Sequence, residues 1–169
     1  MSISSDMTQH VRASLGNLHL LEIRIHPVCS ANQLAFLEMP SIFTRIVERE
    51  IPAQILREDS DYLAFLDVRP IREGHTLVIP KTEVPDIFDL PEPLLAGLLP
   101  FARPVAHAIQ QVTQATRIGM AVIGLEVPHA HLHLVPIDGL HDLDFRRASP
   151  ASEDDLAATA ERIRAALAS

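Results

Sequence analysis

One alternating run, Val127-Pro128-His129-Ala130-His131-Leu132-His133-Leu134-Val135-Pro136, constrains the chain more than any other stretch. Successive side chains of an extended strand point to opposite faces, so His129, His131 and His133 are expected on one face and Ala130, Leu132 and Leu134 on the other. The pattern predicts a strand with three imidazoles toward a site and an apolar face toward a core. Imidazole titrates near neutrality and serves as nucleophile, acid, base or donor according to its neighbours. Three readings are open: a solvated polar strand face, a metal site, and phosphorus chemistry without a metal, in which one imidazole attacks while its neighbours carry protons and charge. Strict alternation weighs against the first. The lack of cysteine ligands and of a nearby acidic cluster weighs against the second.

A chain of 169 residues, 47% hydrophobic, suits one well-buried core. Its formal net charge of −8 argues against a nucleic-acid partner but leaves room for a small anion held by local donors. Cys29 is the only cysteine, so neither an intrachain disulfide nor a thiolate-rich metal site is expected. No apolar run approaches bilayer length and no basic-then-apolar leader opens the chain, so no membrane partner is expected and the simplest compartment is the cytoplasm.

Residues 1–38 have a different texture, rich in Ser, Asn, His and Gln, with one possible strand at 18–25. They are expected to be a disordered or non-native extension, with His10, His19 and His26 exposed. The domain proper is expected over 39–148, followed by a C-terminal helix over 149–169. Ile42, Phe43, Ile46 and Val47 recur at helical spacing, and Ile51-Pro52 is expected to end that helix. A short strand at 55–57 and a buried strand at 62–67 follow, the latter ending on Asp67 where strand gives way to loop. After the breakers Pro70 and Gly74, a strand opens on His75. Leu94, Leu98, Ala102, Val105, Ile109 and Val112 trace a helical stripe that Pro100 and Pro104 interrupt, predicting two abutting helices or one kinked helix. Residues 118–124 read as a strand joined closely to the histidine strand, hence an antiparallel pair. Ser152 and Asp155 open the final amphipathic helix as a capping box. His107 and His141 fall outside the alternation and read as solvated.

Gly74-His75-Thr76-Leu77-Val78-Ile79-Pro80-Lys81 and His129-Ala130-His131-Leu132-His133-Leu134, taken together, resemble the histidine-triad family of nucleotide hydrolases and transferases. The resemblance runs over residues 41–145. It implies an α+β fold in which a long helix packs on an antiparallel sheet, a homodimer, a small-molecule adenine nucleotide as substrate, and neither cofactor nor metal. It also implies that His131 attacks the α-phosphorus to give a nucleotidyl-histidine that water resolves. His129 would orient His131 through its backbone carbonyl, while His133 and His75 contact non-bridging phosphate oxygens. Asp67 would accept from the ribose hydroxyls, and Ile42, Phe43, Ile46, Phe65 and Val68 would wall the base.

Imidazole chemistry agrees with that division of labour. Attack needs an unprotonated nitrogen, so the other ring nitrogen must place its hydrogen on an acceptor, and charge gathering on phosphoryl oxygens needs fixed donors. Leu125 departs from the family, standing where a phosphate-contacting glutamine is expected. Ser41 and Thr44 replace the Cys-x-x-Cys of zinc-bearing relatives, so structural zinc is not expected. Two alternatives follow: a nucleotide-binding sensor of weak turnover, and a metal-dependent hydrolase with the histidines as ligands. The Leu134-Val135-Pro136 ending leans toward dinucleoside polyphosphate hydrolases over nucleoside phosphoramidases.

Overall fold

The computed structural model describes residues 40–169. The expectations for residues 1–38, including the strand at 18–25 and the exposure of His10, His19 and His26, lie outside them. In chain order the elements are α1 (Ile42–Val47), β1 (Ile55–Glu58), β2 (Tyr62–Leu66), β3 (Thr76–Pro80), α2 (Glu92–Thr113), β4 (Arg117–Ala121), β5 (Leu132–Ile137) and α3 (Glu153–Leu167). The five strands form one antiparallel sheet in the order β1-β2-β3-β5-β4. This is the α+β architecture expected from the resemblance.

Every residue of β2 and β3 is buried, because both faces of the sheet are covered. Tyr62, Ala64 and Leu66 pack with Leu98, Phe101, Val105 and Ile109 of α2 and with Ala160 and Ile163 of α3. The alternate residues Leu63 and Phe65 pack on the other face with Leu77, Ile79, Phe43 and Ile46. Period-two alternation thus divides one strand between two cores, and the face under α1 carries the site. Gly97 allows α2 to approach β2 closely: any Cβ there would strike the Tyr62 hydroxyl, which donates to the Leu94 carbonyl at 2.7 Å.

Two local expectations, for α1 and for the strands β4 and β5, are corrected, and for α2 the single-helix alternative holds. α1 ends at Val47, before Ile51-Pro52, because Arg49 takes a left-handed φ of 66° and the Arg45 carbonyl accepts from the amides of Glu50 and Ile51. α2 is continuous through both prolines. The four-residue spacing places the two missing amides one turn above another, away from the buried stripe, so packing keeps the helix whole. β4 stops at Ala121 rather than at 124, and β5 begins only at Leu132, so His129 and His131 lie in the approach to the strand and His133 alone lies within it. Ser152 caps α3 as expected, accepting from the Asp155 amide at 3.1 Å. Among the described residues no helix is long and apolar enough to cross a membrane.

Candidate active site

The site is built on the α1 face. Ser41 caps α1, and its Oγ accepts from the Thr44 amide at 3.1 Å. That oxygen also lies 2.9 Å from His129 Nδ1, while His129 Nε2 lies 2.8 Å from the Pro80 carbonyl. A carbonyl only accepts, so Nε2 carries the hydrogen and Nδ1 accepts from the Ser41 hydroxyl. Glu83 closes the cluster: its carboxylate accepts from the Thr44 hydroxyl and from the Ser41 amide at 2.9 Å. Burial alone would raise the Glu83 carboxyl, but these donors hold it below its ordinary value. Burial lowers the His129 imidazole, with the Pro80 bond and the Glu83 charge opposing.

His131 takes its orientation from the residue two before it. Its Nδ1 lies 2.6 Å from the His129 carbonyl oxygen, so Nδ1 donates and Nε2 keeps a free lone pair. The ring is buried and meets Phe43 edge-on, with centroids 5.1 Å apart, and His133 at 4.9 Å.

His133 and His75 form a second imidazole unit. The Ile71 amide donates to His75 Nδ1 at 3.2 Å, which leaves the His75 hydrogen on Nε2. His75 Nε2 in turn lies 3.0 Å from His133 Nδ1 and donates to it, so His133 presents its own N–H from Nε2. Polarity therefore runs one way: from a backbone amide, through His75, to a donor on His133. Burial pushes both imidazoles down to about 4, with the neighbouring histidines adding to the fall at His133 and Asp67 opposing it there. The pair is neutral at physiological pH. The Asp67 carboxylate is 3.4 Å from His75 Nδ1, but that nitrogen already accepts the Ile71 amide, so the contact is not an ion pair.

All four expected histidines converge on one face, and His75 Nε2 meets His133 rather than open space. Asp67 follows β2 directly; its side chain is 19% exposed and accepts from the Arg69 amide at 2.8 Å. Phe43, Ile46 and Phe65 are core members beneath the site. Ile42 and Val68 are instead apolar residues on the surface, 49% and 60% exposed. His107 and His141 are exposed, as expected. Sequence reasoning missed Glu83 and Phe145, and it treated Ser41 and Thr44 only as missing cysteines. A hydroxyl pair three residues apart at a helix cap, facing a histidine, was the available signal.

Two groups invite a metal reading. Asp67, His75 and His133 offer ligand atoms within 4.8 Å of one another. Holding a cation there would break the His75–His133 bond, so the pair does not fit a metal as it stands. The Ser41, Thr44, Glu83 and His129 cluster offers two hydroxyls where zinc prefers thiolate or imidazole, so structural zinc does not fit either.

Fold and site together define an α+β domain with an antiparallel sheet whose α1 face gathers four histidines. A family model described as the HIT domain matches residues 48–140. A HIT-like protein of Mycobacterium tuberculosis is 36% identical over 137 residues, which cover 77% of this chain and 94% of that protein. The adenosine 5'-monophosphoramidase of Saccharomyces cerevisiae is 36% identical over 103 residues, covering 60% of this chain and 65% of the yeast protein. The crystal structure of a zinc-bound histidine triad family protein from Mycobacterium smegmatis superposes with a TM-score of 0.65 at 34% identity, over 75% of this chain and 92% of that one. The chain belongs to the histidine-triad (HIT) family.

Proposed function

We propose that the chain is a nucleotide hydrolase or nucleotidyl transferase that acts on the α-phosphate of an adenine nucleotide through a nucleotidyl-histidine at His131. One observation carries this reading: the 2.6 Å bond from His131 Nδ1 to the His129 carbonyl, which leaves Nε2 unprotonated on the face shared with the His133 donor. Nε2 attacks the α-phosphorus, and the P–N bond forms as the bond to the leaving group breaks. The leaving oxygen or nitrogen takes the electron pair and a proton from solvent. His131 is then a cationic phosphoryl-imidazolium whose Nδ1–H faces the His129 carbonyl. Water attacks phosphorus, releases the nucleoside monophosphate and restores the imidazole. His133 donates from Nε2 to a non-bridging oxygen, and His75 acts through His133 by holding its tautomer. Asp67 accepts from the ribose, with Phe43, Ile46 and Phe65 as the floor of the base pocket and Ile42 and Val68 at its rim.

The yeast relative's name supports a phosphoramidate substrate with an amine leaving group, whereas the Leu134-Val135-Pro136 ending leans toward dinucleoside polyphosphates, so both are assayed. The experiment is incubation with adenosine 5'-phosphoramidate or a diadenosine polyphosphate labelled at the α-phosphorus. The expected product is a protein adduct at His131, stable to alkali and labile to acid, and turnover insensitive to chelators. Tight binding with no adduct would put a sensor in its place, and turnover lost on chelation and restored by zinc would put a metal-dependent hydrolase there.

We further infer a homodimer across β4. Among the described residues this strand is one of the two edges of the sheet, and Met120, 56% exposed, stands with Leu99 and Ala106 of α2 in one apolar groove. An open antiparallel edge beside an apolar face is self-complementary about a two-fold axis, which makes a second copy the occupant. Sedimentation equilibrium is expected to give a dimer for the native chain and a monomer for Met120→Glu; a native monomer would overturn the inference.

A further inference from the structure

The residues that close the far side of the site come after residue 140, beyond those matched by the family model. Phe145 stands in a 3-10 turn, Phe145–Arg147, and its ring meets His133 edge-on at 4.8 Å and His75 at 6.2 Å. The same segment clamps the loop that carries Ile71, the amide donor to His75. Asp142 accepts from Arg72 Nη1 at 2.8 Å, the Ala151 amide donates to the Val68 carbonyl at 3.1 Å, and Glu73 accepts from Arg162 of α3 at 2.7 Å. Phe145 is half-buried, and its ring packs edge-on against both imidazoles, which are themselves buried.

We propose that Phe145 is a positioning residue: its ring excludes water from the His75–His133 pair and so keeps the chain of donors from Ile71 through His75 to His133 in one tautomeric sense. The proposal rests on the phosphoryl-transfer reading for its consequence, but its own measurement is made without nucleotide. The physical reasoning is direct. A proton added at His75 Nδ1 removes the acceptor of the Ile71 amide, and one added at His133 Nδ1 removes the acceptor of His75. Either breaks the chain, and water against the rings makes either less costly. The titratable groups facing the pair are Asp67 at the end of β2 and His131 before β5. Asp144, Arg146 and Arg147 flank Phe145 but are paired: Arg146 with Asp144, and Arg147 with Asp142.

The test is nitrogen-detected NMR of the imidazoles in the full chain. Native protein is expected to show both rings in the Nε2–H form and neutral down to about pH 4. In Phe145→Ala the pair should titrate well above that, toward the ordinary value of 6.5, and the acid limb of kcat/KM should move up with it. Phe145→Leu, which keeps apolar bulk, should titrate near the native value. A folded Phe145→Ala protein whose pair titrates as in the native chain would overturn the proposal, as would a native pair in mixed tautomers. If Phe145→Ala does not fold, Phe145→Gln, similar in length but bringing a polar amide to the rings, should raise the titration in its place, and no rise would overturn the proposal. Loss of the His131 adduct with the titration intact would sink the phosphoryl-transfer reading alone.

Discussion

Replacing His131 with alanine is expected to lower turnover of an adenylated substrate by about 10³-fold or more while leaving nucleotide affinity within a few-fold of native. The size follows from what the side chain does in the proposed reaction. It forms the bond to phosphorus, so its loss removes the covalent route, and water must then attack without an activated nucleophile. The affinity follows from what it does not do. In the proposed binding mode the base rests on Phe43 and Phe65, the ribose on Asp67 and a phosphoryl oxygen on His133; alanine removes none of these groups, though it takes away the ring that packs edge-on against Phe43 and His133. The Phe43 ring meets both His131 and His129, so part of its packing survives the truncation. The measurement is single-turnover kinetics beside calorimetric binding of a non-hydrolysable analogue. A variant with near-native turnover would remove His131 from the reaction, and equal losses in binding and turnover would make it a binding group.

That expectation began in the alternating histidines, which shows how much of the molecule was legible before any coordinates. Alternation placed three imidazoles on one side, and it did so although two of them precede the strand. Ala130, Leu132 and Leu134 fall together in the core under α2, so the period-two pattern reaches back past the start of β5, although His129 itself lies in a bend. The strand beginning at Tyr62 was readable as an unbroken apolar run, because both its faces are buried, and the helical stripe from Leu94 to Val112 was readable because one-sided burial imposes a period on sequence. The continuity of α2 through Pro100 and Pro104 was not, because it depends on which face the lost amides meet, and that is set by the sheet beneath. Glu83 and Phe145 were invisible for a similar reason. Their contacts join residues 39 to 46 positions apart for Glu83, and 12 to 70 for Phe145, and no local spacing encodes such pairs. The left-handed Arg49, which ends α1 early, carries no glycine or asparagine to announce it.

The imidazole pair proposed to support phosphoryl transfer also sets how the fold should respond to acid. His75 and His133 have folded-state values of about 4 against 6.5 in an exposed chain. Above about pH 6.5 both states leave the rings neutral, and stability is insensitive to these groups. Between 6.5 and 4 the unfolded chain takes up protons that the native state refuses, so the free energy of unfolding falls as pH falls. A displacement of that size is worth on the order of 3 kcal/mol for one imidazole, a large share of the 5–15 kcal/mol typical of a domain. His129, also lowered by burial, acts in the same direction. The lowered aspartates act below this window, and Glu58 and Glu83, also held below their ordinary 4.5, enter only at its lower end, so the fall between 6.5 and 5 belongs to the imidazoles. Hydrogen bonds from the Asp138 and Gly139 amides hold Asp142 at about 2, and the Arg146 side chain and amide do the same for Asp144, so what these groups contribute is lost only as pH falls below the ordinary carboxylate range. Urea unfolding at pH 7.5, 6, 5 and 4.5 should therefore show a falling midpoint at constant slope, beginning near 6.5, while the acidic network is still intact. A flat profile over that range would mean that His75 and His133 are hydrated in the native state, and a hydrated pair cannot hold the one-way order of donors on which the proposed hydrogen bond from His133 to phosphate depends.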